Sequence, residues 1–324
     1  MLRLVCAFVL VAASVARADA WKIETVETPG AVRELIEVGG EPRIATASGW
    51  FRAVADGAGI RLKRAPPPRY PPIPIDALPD GRIIAGKRQI ARAWLAEPTN
   101  RYGHGVLGDA IEAASIVVER RDGKRETVRL GNDSVFEDLE PRIADLGGGE
   151  KIVAVKSYLA AGSALAVIGE RGGRLAILAE TPPIGTPNRW LNPAGIADFD
   201  GDGAVEIALV RMPHALGRLE LWRWNAGKLS KVAETRDTSN HAIGSRNLDQ
   251  SAVADFDGDG VADLAIPSFD RRAIRLLTFR GGVREIARIK LPAPVTTNFI
   301  ALASLGSPEI LFGTADGKLF RLRR

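Results

Sequence analysis

Two stretches of this chain gather carboxylates at a spacing that can hold a cation. Ile196-Ala197-Asp198-Phe199-Asp200-Gly201-Asp202-Gly203 and Val253-Ala254-Asp255-Phe256-Asp257-Gly258-Asp259-Gly260 are near copies, offset by 57 residues. Asp198, Asp200 and Asp202 take positions 1, 3 and 5, with Ala204 at 7 and Glu206 at 9. Asp255, Asp257, Asp259, Val261 and Asp263 fill the same slots in the second copy. Side chains at alternate positions of a tight loop converge on one point. Gly203 and Gly260 at position 6 allow the sharp turn, and position 7 offers a backbone carbonyl. Hard oxygen donors in that number suit Ca2+, which accepts about six to eight ligands in flexible geometry, whereas Mg2+ demands a stricter octahedron and keeps its waters. Asp-Gly clusters also make ordinary turns. Two copies with matching acids at every side-chain slot favour a metal, because crowded carboxylates repel unless a cation neutralises them. The expectation is two Ca2+ sites, structural rather than catalytic: coordination filled by the protein leaves little room for substrate.

Position 12 separates these turns from the EF-hand loops they partly resemble. An EF-hand needs a bidentate Glu there; this chain has Leu209 and Ile266, each inside an apolar β-like run. The pattern instead resembles D-x-D-G-D-G-x-x-[DE] of the FG-GAP/VCBS repeat family, best known from integrin α-subunit propellers. The likeness is close in the two loops, recognisable at Asp145, and slight elsewhere. It implies β-propeller blades with Ca2+ in the loop joining the first two strands of a blade, and it implies no single activity. At the Asp145 turn, Gly147 and Gly149 stand where further acids would be, so no metal is expected there.

The elements that must position these loops show as a repeat. Ile143–Gly149 precedes Lys151–Val155, with Asp145 53 residues before Asp198, and Leu305–Pro308 precedes Glu309–Phe312. Toward the N-terminus, Val38–Pro42 precedes Arg43–Ala45 and Leu78–Gly81 precedes Arg82–Ala85. A second series of hairpin signals is offset from the first: Asp56-Gly57, Asp122-Gly123, Gly172-Gly173, Ala226-Gly227 and Gly281-Gly282. A sixth would fall past Arg324, so the last unit has three strands, while Trp21–Val26 is a strand-like run left over at the other end. The expected fold is all-β: one β-propeller domain over residues 19–324, with six blades. The N-terminal strand completes the last blade and closes the ring, which removes exposed sheet edges. A seventh blade would follow if Pro66–Pro74 held another strand. Apolar residues alternate or run in short blocks broken by turns, which argues against helices. A helix is expected only around Ile90–Leu95 or Gly108–Ala113, within an insertion at about 87–112.

On such a scaffold the loops between second and third strands share one end with the blade connections, opposite the acidic loops. His104, Arg189, Arg211, His214, His241 and Arg246 all fall at that end and are the candidate ligand-binding residues. A loop histidine alone is more often inert than a ligand, and the three histidines lack zinc spacing. No catalytic residue is assigned: the chain has no nucleophile elbow, P-loop, H-E-x-x-H or dinucleotide fingerprint. The favoured reading is an exported, Ca2+-stabilised propeller that binds a protein or a glycan at the cell envelope, as a monomer. The alternatives are a carbohydrate-active hydrolase or lyase using the His/Arg loop end, and a purely structural envelope protein.

Composition bounds these choices. Of 324 residues, 46% are hydrophobic and 26% charged, which excludes disordered and collagenous chains. The net charge of +5 comes from scattered residues, with no basic run that nucleic acid would need. Residues 1–18 read as a signal peptide: Arg3, the apolar Leu4–Ala13, then Ala16-Arg17-Ala18, with Ala18-Asp19-Ala20 as a second cleavage site. The apolar stretch is too short for a membrane span, so no transmembrane anchor is expected. The only cysteine, Cys6, lies in that peptide, so the exported chain, periplasmic or secreted, must be held by its core or by metal.

Overall fold

A computed structural model describes residues 21–57, 59–70, 72–302 and 308–324. The leader with Cys6, and Leu305–Ser307 of the last expected turn, lie outside the described residues. Among the described residues the chain is strands and turns, and no helix is long and apolar enough to cross a membrane.

β1 (Lys22–Val26) comes first. It is followed by β2 (Val32–Val38), β3 (Glu41–Thr46), β4 (Gly49–Asp56) and β5 (Gly59–Arg64), an antiparallel sheet in chain order. Next come β6 (Ile84–Ala85), β7 (Ile90–Thr99), β8 (Glu112–Arg120), β9 (Arg125–Arg129), β10 (Ser134–Phe136), β11 (Arg142–Asp145), β12 (Glu150–Tyr158), β13 (Gly162–Arg171) and β14 (Arg174–Glu180). These nine form one sheet made of two four-stranded meanders, β6–β9 and β11–β14, joined by β10, which pairs with both β8 and β12. Two further four-stranded meanders follow: β15 (Leu191–Ala197), β16 (Glu206–Arg211), β17 (Arg218–Asn225) and β18 (Lys228–Thr235), then β19 (Ala252–Ala254), β20 (Asp263–Pro267), β21 (Ala273–Thr278) and β22 (Arg284–Lys290). The last sheet holds β23 (Ile300–Leu302), β24 (Glu309–Gly313) and β25 (Leu319–Arg323), and its fourth strand is β1, antiparallel to β25. Each meander is a propeller-like blade.

All five hairpin dipeptides fall between the third and fourth strands of a blade. Three expectations need correction. Ile90–Leu95 is no helix: it lies in β7, where Ala93 and Leu95 enter one apolar cluster while Trp94 and Ala96 enter another. A strand buried on both faces reads as a continuous apolar run and loses its alternation. Gly108–Ala113 likewise runs through a turn into β8, so the excursion between β7 and β8 is only residues 100–111, not 87–112. Finally, Leu78–Gly81 lies ahead of its blade; the turn between that blade's first two strands is residues 86–89. Residues 65–70 and 72–76 form no strand.

Apolar clusters bind successive blades face to face. Ile152, Ala154 and Ile168 pack on Ile116 and Val118, and Val153, Val155 and Leu165 pack on Ile207, Leu209 and Trp222. Val210 and Leu221 meet Leu264 and Leu277; Ala265 and Leu276 meet Phe312 and Phe320; Leu311 and Ile300 meet Leu35 and Ile44. Between β2–β5 and β6–β9 no shared cluster forms among the described residues. A cavity of about 700 Å3 lies there, lined among others by Glu34, Tyr70, Arg82, Glu140 and Asp249.

The same clusters anchor the acidic loops. Phe199 and Phe256, between the first two acids of each motif, are 0% and 1% exposed. Phe199 meets Phe279 edge-on at 5.5 Å, and Phe256 meets Trp21 at 5.6 Å. Each loop is thus pinned into the seam between its blade and the next. Phe256→Ala should cost about 3–5 kcal/mol, the range for emptying a buried aromatic site. Urea unfolding measures it, and a loss below about 1 kcal/mol would show that the loop is not held through this ring.

Candidate functional site

The polar loops at one end of the blades converge on Trp190, which is 2% exposed. His214 stacks on its indole at 6.2 Å, and the His241 ring lies 4.7 Å from it. His241 Nε2 is 2.9 Å from the Ser245 carbonyl, which can only accept, so Nε2 carries the proton. His241 Nδ1 then accepts from His214 Nε2–H at 2.9 Å. Burial lowers both rings: His214 to about 3, helped by the charge of His241, and His241 to about 4. Trp190 Nε1 donates to the Glu137 carbonyl at 3.0 Å, which links this pair to His104, whose Nδ1 is 2.6 Å from Glu137 Oε1. Glu137 is fully buried and also accepts from the Ser157 and Ser163 hydroxyls. Burial raises its carboxyl, against the pull of His104 and both hydroxyls.

Arg271 donates to the His241 carbonyl at 3.1 Å, and its charge also lowers both histidines, but the three candidate arginines do not join this cluster. Arg246 bridges Asp80 and Asp109. Arg211 donates to the Pro183 carbonyl at 2.9 Å, and the exposed Arg189 donates to the Asn188 carbonyl at 2.9 Å. No histidine or arginine of the candidate set lines the 700 Å3 cavity.

At the other end of the blades, the acidic loops are built by their own backbone. In the first, between β15 and β16, Asp198 Oδ1 accepts from Gly201 N at 2.8 Å and Oδ2 from Gly203 N at 2.8 Å. Asp200 Oδ1 accepts from Asp202 N, Asp202 Oδ1 from Ala204 N, and Glu206 Oε2 from Phe199 N. Three oxygens remain: Asp200 Oδ2, Asp202 Oδ2 and Glu206 Oε1. The second loop, between β19 and β20, repeats this. Asp255 accepts from Gly258 and Gly260, Asp257 Oδ1 from Asp259 N, Asp259 Oδ1 from Val261 N, and Asp263 Oδ2 from Phe256 N. Here Asp257 Oδ2, Asp259 Oδ2 and Asp263 Oδ1 are left. Carboxylate oxygens of Asp198, Asp200 and Glu206 lie within 4.8 Å of one another, as do those of Asp255, Asp257 and Asp259. Such clustered hard donors fit Ca2+. Burial raises the Glu206 carboxyl and pushes Asp263 up to about 6.

Residues 198–266 match the FG-GAP-like repeat. The repeat thus runs from the first acid of one loop to β20, just past the last acid of the other. No curated protein sequence matches the chain. Among solved structures, the chain is similar to BBS1N in its complex with ARL6DN, at 12% identity and TM-score 0.48, covering 92% of each chain. It is also similar to a luciferin-regenerating enzyme, at 12% identity and TM-score 0.45, covering 94% of this chain and 96% of the other.

Within the FG-GAP-like repeat the two loops touch. Gly201 has φ +79°, and a Cβ there would lie 2.9 Å from Val261 Cγ2, so only glycine fits between the loops. In the weaker turn, Asp145 Oδ1 accepts from Gly147 and Gly149, and Oδ2 meets Arg88 at 2.6 Å. Sequence reasoning missed three groups. Arg223 enters the first loop from β17. Glu137 and Glu112 lie beneath the histidines' end; burial, then the charges of Glu137, Asp109 and Asp138, push Glu112 up to about 10. The run Glu137-Asp138-Leu139-Glu140 directly after Val135-Phe136 was the available signal for buried acids.

The histidine pair sets a pH dependence. Both rings are neutral in the folded protein at pH 7, while the unfolded chain protonates them near pH 6.5. Their folded pKa values are depressed, so stability is fully present above about pH 6.5 and is lost as pH falls toward 4. Discounting for the partial exposure of His214, each ring should cost about 1–2 kcal/mol between pH 7 and pH 5. Urea melts at both pH values should show this, and His214→Phe should flatten the difference; an unchanged pH slope in that variant would contradict it.

Proposed function

We propose that this chain is an exported, Ca2+-stabilised six-bladed propeller, closed by β1, whose polar loop end binds a partner protein. Counting β6–β9 and β11–β14 as separate blades gives six, and the β1–β25 pairing supports closure. The calcium reading is supported by the donor oxygens of both loops and by the repeat, with the Ala204 and Val261 carbonyls as further ligands. Calcium would supply charge neutralisation and rigidity there, since the carboxylates are already arranged around a point by their own backbone.

The observation that carries the binding reading is where large apolar side chains are exposed. Among the described residues, six of the eight exposed ones, Tyr70, Ile73, Ile75, Ile111, Ile243 and Phe269, lie in blade connections or in loops between second and third strands. By topology these segments emerge from one end of the blades, the end opposite the acidic loops. Exposed apolar groups placed at the same end as several loop arginines suit a protein interface more than a passive surface. The histidines there are consumed by packing and mutual hydrogen bonds, which supports binding over catalysis.

Two measurements test this reading. Cross-linking capture from envelope extracts should lose the same specific partner with Ile243→Glu plus Phe269→Glu and keep it with Val232→Glu, which changes an exposed residue on β18. Equal capture by both variants would place the interface elsewhere. Calcium should also raise the thermal midpoint of the purified protein, and Asp257→Ala should remove most of that rise; a midpoint indifferent to calcium would refute the metal reading.

A further inference from the structure

The two loops share a motif but differ in countercharge, and an inference that rests on the calcium reading follows from the difference. In the first loop one guanidinium meets all three leftover oxygens. Arg223 contacts Asp200 Oδ2 through Nη2, Asp202 Oδ2 through Nη1 at 2.9 Å and Glu206 Oε1 through Nε at 2.8 Å. Its side chain is 23% exposed. The second loop has no such group. Arg280 reaches Asp259 only at 3.3 Å and Arg284 reaches Asp257 only at 3.6 Å, from side chains 55% and 62% exposed. Asp263 Oδ1, on a residue with no exposure, has no cationic or backbone partner; what it faces is the neutral hydroxyl of the equally buried Thr278.

The difference comes from strand register. Glu206 on β16 pairs with Arg223 on β17. Leu264 pairs with Leu277 on β21, so the position opposite Asp263 is Thr278. From position 9 of the motif to its cross-strand neighbour is 17 residues in the first blade and 15 in the second, by subtraction of these numbers. The shorter connection carries a threonine to the place where the first blade has arginine, and leaves Arg280 further out.

We propose that Arg223 is a guanidinium latch standing where a cation would otherwise sit. The second loop is then the resident Ca2+ site, and the first takes the ion only when Arg223 leaves. A planar guanidinium making three charge-assisted contacts is a strong occupant, and at its depth water screens it less than the exposed Arg280 and Arg284. Calcium entering the first loop must break all three contacts. Calcium entering the second has no close guanidinium to displace, and it meets a buried carboxylate oxygen whose charge has only a neutral hydroxyl beside it.

Calorimetric Ca2+ titration of the purified protein, with thermal unfolding in calcium and in chelator, tests the latch. Wild type should bind one ion. Arg223→Thr should bind two, with a midpoint that falls in chelator and recovers in calcium, which also reports that the variant folds. Thr278→Arg should weaken the remaining site at least tenfold. Two equal sites in wild type, unchanged by Arg223→Thr, would overturn the latch and leave the calcium reading standing. Absence of binding in both wild type and a folded Arg223→Thr variant would remove the calcium reading and the latch with it.

Discussion

Four carboxylates confined to one turn of nine residues are the constraint around which the acidic end of this protein is organised. Their repulsion is met in two stages. Backbone N–H groups of the turn take one oxygen of most acids and both oxygens of the first, which fixes the turn's shape without any ion. The remaining oxygens still need positive charge; in the first loop one guanidinium meets them closely, whereas in the second Arg280 and Arg284 approach only at 3.3 and 3.6 Å. Burial favours the neutral alternative, a protonated acid, at the last acid of each loop: it raises the Glu206 carboxyl and lifts that of Asp263 to about 6.

This electrostatic problem is tied to the core through single aromatic rings. Phe199 and Phe256 alternate with the acids, so the same backbone that turns carboxylates outward drives a phenyl ring into the seam between blades. Whatever fixes the acids therefore also fixes how two blades pack. In the second loop the ring reaches Trp21, just before the N-terminal strand that pairs with β25. A cation there would stiffen the region in which β1 pairs with β25. Among the described residues the first and second blades share no apolar cluster, so the stiffness of the remaining seams matters more for holding the array.

Much of this was legible in the residues because its signals are local. The Asp-Gly and Gly-Gly dipeptides mark the turns between third and fourth strands because only a few residue types accept the positive φ such turns need. The motif acids are equally local, since loop geometry follows from spacing over nine residues. What stayed hidden depends on distance along the chain. β7 resembled a helix because both of its faces are buried, which erases the alternation that identifies strands. The turn between the first two strands of its blade lies several residues beyond Leu78–Gly81, because Leu78 is anchored in the core without belonging to a strand. Arg223 was invisible because its relation to the acids is set by a cross-strand register; a fixed offset of 57 residues pairs it with Arg280, whereas the strands pair its place with Thr278. The half-buried His104–Glu137 contact likewise joins residues 33 apart across two loops.

The most direct test of the account is where a heavy divalent or trivalent ion settles. Crystals soaked in a lanthanide that mimics Ca2+ should give one strong anomalous peak beside Asp257, Asp259 and Asp263, with Arg223 still seated on Asp200, Asp202 and Glu206. Peaks of equal height in both loops with Arg223 displaced, or a map without a peak at either loop, would contradict it.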